Sequence, residues 1–315
     1  MKIVGVSLGT KNGANDAMCK EALNAAREMG AEVSFIHLLD WDIQDCTGCV
    51  ACSRGLVMGK GNICIRKDEF DDFRSQLLDA DGVLVVDPIF VCGGSGLFHT
   101  LMDRFGPRAD RGMNIVAHQI AENAGGKDTD LRLLKDKVIS FIGIGGSDWA
   151  TAIEYDHTQL AMSPMWKIID NEKFAWSKTI IMEEEKVERC REIGRNLAKA
   201  AADIENAKYM GDPGVCPHCH CKNFYITPGT TEATCMTCGI VGKLDVVDGA
   251  LQFSFEPEAE AHAHDTLSGK FMHADDIKEN EGRAMGILKT DEYKEKKARI
   301  DSYNIPEILP PSKRA

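Results

Sequence analysis

Two groups of cysteines carry the clearest chemical signal in the chain. Cys46-Thr-Gly-Cys49-Val-Ala-Cys52 places three thiols at two-residue gaps, and Cys64 follows after eleven intervening residues. One short loop of this kind can wrap a compact inorganic core, each thiolate reaching a different iron atom, so the pattern points to an iron–sulfur cluster. The rival reading is a set of reduced or structural thiols with no cluster. Near the other end, Cys216-Pro-His-Cys219 and Cys235-Met-Thr-Cys238-Gly239 are separated by fifteen residues. Two such knuckles place four thiolates around one ion, with zinc the default and rubredoxin-like iron the alternative. Cys221, His218 and His220 lie beside the first knuckle and read as bystanders, because four thiolates already close a tetrahedral site.

Three loops of small residues form the second kind of signal. Ser7-Leu-Gly9-Thr10-Lys11-Asn12-Gly13-Ala-Asn15-Asp16 follows an apolar run, Pro88 to Gly96 follows another, and Gly145-Gly146-Ser147-Asp148 a third. Backbone N–H groups at the start of a helix make an anion site, and glycines let backbone approach a ligand closely. Together the loops suit a planar ring with a phosphate tail.

The elements that must position these residues follow from periodicity. Residues 2–7 read as a strand, and Ala17, Leu23, Ala26 and Met29 as one helix face closed by Gly30, with a strand over Val33–Leu38. A helix over about Glu69–Leu78 precedes the apolar run Gly82–Asp87, and another reaches Met102-Asp103-Arg104. Val138–Ile144 reads as a fourth strand, Lys178–Met182 as a last one, and Lys186 to about Tyr209 as a long helix. Alternating β and α units imply an α/β doubly wound parallel sheet that binds ligands at the carboxyl ends of its strands. Gly211-Asp-Pro-Gly214 breaks the chain there. The expected organisation is an α/β domain over 1–210, a four-Cys ribbon with short strands over 211–256, and a C-terminal arm over 257–315. The arm, which holds His262, His264 and His273, reads as packed on a partner subunit or as merely flexible, with Phe271, Met272, Ile277, Met285, Ile287 and Leu288 too apolar for a purely solvating tail.

The formal net charge of −12 argues against non-specific binding to nucleic acid or anionic membrane. The first residues enter a strand directly, with no signal-peptide pattern, and no window is long and apolar enough to span a membrane. Paired Cys-x2-Cys spacings in such a chain fit a reducing cytoplasm.

The loop order and motif spacing over roughly residues 1–205 resemble the flavodoxin-like NAD(P)H-dependent FMN reductases, and within them the iron–sulfur flavoproteins. That family's phosphate loop, Gly-Ser-x-Arg-x-x-Gly-Asn-Thr, corresponds to the stretch holding Ser7, Gly9, Thr10, Lys11, Gly13 and Asn15. Its second loop, with the helix that follows, is matched by Pro88, Phe90 and Asp103-Arg104, with His99 where lysine is usual. Its cysteine loop is matched in order by Cys46, Gly48, Cys49, Cys52, Cys64, Asp68 and Glu69. Two departures stand out. Asp16 replaces the usual Thr and brings a carboxylate toward the expected phosphate, which Lys11 or backbone donors must outweigh, and the insertion before Cys64 is longer. The resemblance implies FMN held by the three loops, with Val91, Cys92, Gly93, Gly94, Gly145 and Gly146 joining the residues above. It also implies a [4Fe–4S] cluster on Cys46, Cys49, Cys52 and Cys64, and a homo-oligomer with flavin near an interface.

Three functions compete. One is an FMN-dependent oxidoreductase moving electrons from NAD(P)H or a ferredoxin-type donor, through cluster and FMN, to a small-molecule acceptor. Another is an NAD(P)H-dependent quinone or aromatic reductase without a cluster. The third is a protein-binding zinc ribbon on a redox-sensing platform, for which Lys222, Phe224, Tyr225 and Lys243 offer little toward nucleic acid.

Overall fold

The computed structural model describes residues 1–306 together with Ile308 and Pro310. The chain divides into two compact units, Met1–Lys270 and Phe271–Ala315.

The first unit begins β1 (Lys2–Ser7), α1 (Ala14–Glu28), β2 (Glu32–His37), then α2 (Ala51–Val57), α3 (Phe70–Asp79) and β3 (Gly82–Pro88). It continues with α4 (Gly96–Ala109), α5 (Arg111–Ala124), β4 (Val138–Ile144), α6 (Ile153–Met162), β5 (Lys167–Phe174) and α7 (Glu184–Ala202). The five strands form one parallel sheet in the order β2-β1-β3-β4-β5. β1, β3 and β4 are near-continuous apolar runs because helices cover both of their faces. On one face lie Met18, Cys19 and Leu23 of α1 with Ile193 and Leu197 of α7. On the other lie Phe70 and Phe73 of α3, Phe98 and Phe105 of α4, and Leu160 of α6. α4 kinks at Gly106, since the ring of Pro107 disfavours helical geometry in the residue before it.

The expected last strand over Lys178–Met182 is not one. Ile180–Met182 is a single 3-10 turn with Ile181 and Met182 exposed, and the fifth strand is β5. β5 escapes a hydrophobic reading because it carries Asp170, Asn171, Glu172 and Lys173. Each has a partner: Arg189 reaches Asp170 at 2.6 Å and Glu172 at 3.0 Å, Lys173 meets Glu154 at 2.6 Å, and Asn171 bonds His157 at 3.0 Å. The helix expected to reach Tyr209 ends at Ala202.

β6 (Phe224–Ile226), β7 (Glu232–Cys235), β8 (Val241–Val247) and β9 (Ala250–Ser254) then make an antiparallel sheet in sequence order. Its small core joins Cys216, Cys221, Cys235 and Cys238 to Ala233, Ile240, Phe253 and Ala263. α8 (Leu267–Ile287) starts in the first unit, where Lys270 pairs with Asp110 at 2.8 Å. In the second unit, α9 (Asp291–Asp301) is capped by Thr290, whose hydroxyl accepts from Tyr293 N, and none of its residues is buried. No helix among the described residues is long and apolar enough to cross a membrane.

Candidate functional site

The loops after β1, β3 and β4 open at the carboxyl end of the sheet and enclose a crevice of about 580 Å³. Its lining brings together Gly9, Thr10, Gly13 and Asn15 from the first loop, Pro88 and Phe90 from the second, and Gly145 and Gly146 from the third. Gly13 is the N-cap of α1 and offers no side chain to it, so the N–H groups of the first turn remain available to an anion. A Cβ on Gly9 would lie 2.6 Å from that of Asn15, and one on Gly13 2.8 Å from the Thr10 carbonyl oxygen. The cradle is therefore built of backbone and fits a phosphate.

Asp16 does not face that cradle. Its carboxylate accepts from Ser7 Oγ at 2.5 Å and Asn12 N at 2.7 Å, and meets His37 Nδ1 at 3.0 Å. Burial alone would raise its pKa; these hydrogen bonds and the His37 charge outweigh it and hold the carboxyl below the usual range. Ser7 is thus buried beneath the loop as a brace. Lys11 turns outward to Asp40 at 2.6 Å and does not line the crevice. Among the described lining residues the one charged side chain is Lys178, whose Cε lies 2.7 Å from where a Cβ on Gly146 would stand. Sequence reasoning missed Lys178, having taken it for the start of a strand, and missed Leu39, Ser95 and Leu97 of the same lining.

The second loop is a tight turn closed by Phe90 N to Gly93 O at 2.9 Å and Gly93 N to Phe90 O at 3.0 Å. Its middle residues, Val91 and Cys92, have φ of 46° and 64°, a left-handed pair that hairpins normally reserve for Gly or Asn. A β-branched residue there is strained, and surrounding contacts must hold it. Val91, Cys92, Gly93 and Gly94 do not line the crevice; they present Phe90, which is 61% exposed. Below the turn, Asp87 accepts from Ser95 N at 3.0 Å and Ser95 Oγ at 2.7 Å. Burial, with Asp156 nearby, pushes Asp87 up to about 7 against those two bonds.

Cys46, Cys49, Cys52 and Cys64 line one small cavity of about 40 Å³ together with Arg66, Arg104 and Arg108. Gly48 and Val50, at φ of 64° and 51°, turn the irregular chain into α2. The acidic pair anchors the loop: Asp68 accepts from Gln44 N at 2.9 Å and Glu69 from Asp42 N at 2.7 Å. Arg104 ties it from the other side, bonding Gln44 O at 2.6 Å and Asp68 Oδ1 at 3.0 Å, with Cys64 Sγ at 3.8 Å. The Arg104 hydrogen bond above all, against burial, holds Asp68 down to about 2. Cys49 is exposed, and hydrogen bonds from the Ala51 backbone and the Thr47 hydroxyl hold its thiol below the ordinary value. Converging thiols among guanidinium groups suit an anionic cluster.

In the ribbon, the sulfurs of Cys216, Cys219, Cys235 and Cys238 all lie within 4.8 Å of one another, and among the described residues they are the one group of three or more ligating side chains so closely set. Gly239, at φ of 79°, takes the tight turn behind the second knuckle, packed against His264. His218 pairs with Asp265 at 2.8 Å and His220 stacks on Tyr209 at 4.1 Å, which leaves the four thiolates to close the site.

A parallel sheet in the order 2-1-3-4-5, with a backbone-lined crevice where the strand order reverses, defines a flavodoxin-like α/β protein with its ligand site at the switch point. The chain belongs to the NADPH-dependent FMN reductase family, whose model matches residues 1–179. It is therefore an FMN-dependent reductase. A solved flavone reductase is 48% identical with a TM-score of 0.89, covering 98% of this chain and all of that one. A flavone synthase of Aspergillus candidus is 27% identical over 308 residues, 91% of this chain and 93% of its own. An iron–sulfur flavoprotein of Methanocaldococcus jannaschii is 31% identical over 156 residues, 47% of this chain and 78% of its own.

Proposed function

We propose that the chain reduces the ring C=C of a planar, flavone-like enone with electrons from NADPH. The observation that carries this reading is the full-length likeness, at 48% identity, to a protein called a flavone reductase, ribbon included. The overall change is enone plus NADPH plus a proton to saturated ketone plus NADP⁺: hydride to the β-carbon, proton to the α-carbon. FMN, when bound, supplies the hydride chemistry. The chain's own residues do the rest. The loop from Gly9 to Asn15 and the α1 N-terminus hold the phosphate, Gly145 and Gly146 let backbone approach the ring, and Phe90 gives the acceptor an aromatic face. Lys178 is the charged donor in an otherwise neutral lining and suits the carbonyl oxygen of such an acceptor.

A second reading concerns the source of electrons. Four thiols around one cavity with three arginines support a [4Fe–4S] cluster that relays single electrons from a ferredoxin-type donor. The ribbon site, closed by four thiolates, supports a structural zinc. Exposed Phe90, Trp149 and Trp176, at 61%, 61% and 67%, support a homo-oligomer that covers them.

Anaerobic purification with iron, sulfide, zinc and FMN counted per chain, followed by assays on a simple flavone with NADPH or reduced ferredoxin, tests both. Flavanone formed with NADPH supports the first reading, and a protein that oxidises NADPH but leaves the flavone intact sinks it. Loss of iron and sulfide in Cys49→Ala, with FMN retained, supports the relay; unchanged iron refutes it.

A further inference from the structure

One peptide group is bonded on both of its edges, and the two partners belong to different sites. The carbonyl oxygen of Thr151 accepts from Asn223 Nδ2 at 3.1 Å, and the N–H of the same peptide, on Ala152, donates to Cys92 O at 2.9 Å. Cys92 sits in the strained turn that presents Phe90 to the crevice. Asn223 is fixed between the metal knuckles, its N 3.2 Å from Cys221 Sγ and its O accepting from Met236 N at 3.1 Å. Met236 directly follows Cys235.

Two further contacts run alongside. Asp156, one turn into α6 and 8% exposed, accepts from Gly94 N at 2.8 Å, and any Cβ on Gly93 would come 2.3 Å from the same carboxylate oxygen. From the ribbon, Lys222 pairs with Glu154 at 2.8 Å; β5 supports the same residue, Asn171 Nδ2 bonding the Glu154 carbonyl at 2.7 Å. The start of α6 is thus gripped by the ribbon on one side and grips the flavin loop on the other.

We infer that the metal-loaded ribbon braces the flavin crevice through the Thr151–Ala152 peptide, so that ribbon metal and FMN bind with positive coupling, and that Asn223 is the positioning residue that transmits it. The physical basis is the left-handed Val91–Cys92 pair. Such a turn persists only where neighbours over-determine it, and Ala152 N–H and Asp156 are two of those neighbours. Without metal the knuckles lose their cross-link, Asn223 loses its seat, and the turn relaxes away from the geometry that sets Pro88, Ile89 and Phe90 in the crevice wall. Linkage makes the effect reciprocal: whatever factor the metal adds to FMN affinity, FMN adds to metal affinity. This rests on FMN in the crevice and not on the identity of the acceptor.

The test uses the full-length protein. Asn223→Ala is prepared with ribbon metal counted, and FMN affinity is measured by titrating the flavin-free protein and following flavin fluorescence. With the metal fully retained, FMN affinity falls by roughly 5- to 50-fold, inside the usual span of coupling between sites, and amide exchange at 92–95 speeds up. Removing the metal from the parent gives a similar loss, and removing it from Asn223→Ala adds little further, since both act through one link. Ala152→Pro deletes the N–H at the flavin end while keeping the Thr151 carbonyl that Asn223 bonds. There the metal passes to a competing chelator at lower chelator concentration, and added FMN no longer protects it. FMN affinity within about two-fold of the parent in metal-loaded Asn223→Ala overturns the inference, as does FMN failing to protect the metal in the parent.

Discussion

Asp68→Asn isolates what holds the cysteine loop in place. The side chains of Asp68 and Arg104 are each 2% exposed, and the carboxylate also accepts from Gln44 N and Phe70 N. Its pKa is held at about 2 against an ordinary 3.8. That gap of about 1.8 corresponds to ~2.4 kcal/mol of stability at neutral pH. Breaking a buried pair while leaving its partner charged costs about 3–5 kcal/mol. Asparagine keeps one acceptor for the backbone donors, so the expected loss is roughly 2–4 kcal/mol, or a melting temperature about 5–12 °C lower for a domain of this size. The sign with pH follows from the depressed pKa. The contribution is complete above the unfolded value of 3.8 and disappears as pH falls toward 2. Urea unfolding of parent and variant at a series of pH values therefore converges on the acid side. Because Asp68 no longer pins the guanidinium of Arg104 against Gln44 O and Cys64 Sγ, the variant also takes up less iron at equal FMN content. A difference below about 1 kcal/mol at pH 7, or one unchanged down to pH 3, refutes the reasoning.

Other sites give equally direct outcomes. Gly9→Ala brings a Cβ to 2.6 Å from that of Asn15, so FMN affinity drops by at least about tenfold in a fluorescence titration while far-UV circular dichroism is retained. Gly194→Ala places a Cβ 1.9 Å from the Ala22 carbonyl oxygen where α7 crosses α1, and costs about 1–3 kcal/mol or more in urea unfolding. Asp87, raised from 3.8 to about 7, contributes stability below pH 4 that is lost as pH rises through 7, up to ~4 kcal/mol. Asp87→Asn, still able to bond Ser95, shows a flatter stability profile from pH 4 to 8 and exceeds the parent at pH 8. A profile as steep as the parent's counts against that assignment.

Local spacing made much of the molecule readable before its fold. The knuckles at Cys216–Cys219 and Cys235–Cys238 are encoded within a few residues each, and their thiols converge as the spacing implies. The β1-loop-α1-β2 opening is likewise written in one short stretch, and three glycine loops do meet at one crevice. What stayed hidden depends on contacts distant in sequence. β5 reads as polar because its charges are neutralised by α6 and α7, which no window contains. Asp16 reads as a repulsive charge until Ser7, nine residues away, and His37, twenty-one away, turn it under the loop. Lys11, the apparent phosphate ligand, is drawn off by Asp40, and Lys178 enters the crevice because a turn, not a strand, follows β5.

Buried or half-buried aspartates recur behind the functional loops, and their placement has an electrostatic logic. Asp16 takes the Asn12 N–H, Asp87 the Ser95 N–H, Asp156 the Gly94 N–H and Asp68 the Gln44 N–H. Each replaces a missing side-chain cap or ladder bond in an irregular segment, which fixes loops that glycine content alone would leave loose. Negative charge beside an anionic cofactor would be self-defeating if it faced the ligand. Here Asp16 is turned beneath its loop and bonded by Ser7, Asn12 and His37, Asp87 is driven toward its neutral form by burial, and Asp68 is matched by Arg104. What remains directed at the crevice is the uncapped end of α1. The chain thus stiffens its site with carboxylates that do not face the crevice, so an aspartate at position 16 leaves the helix end free to favour a phosphate there.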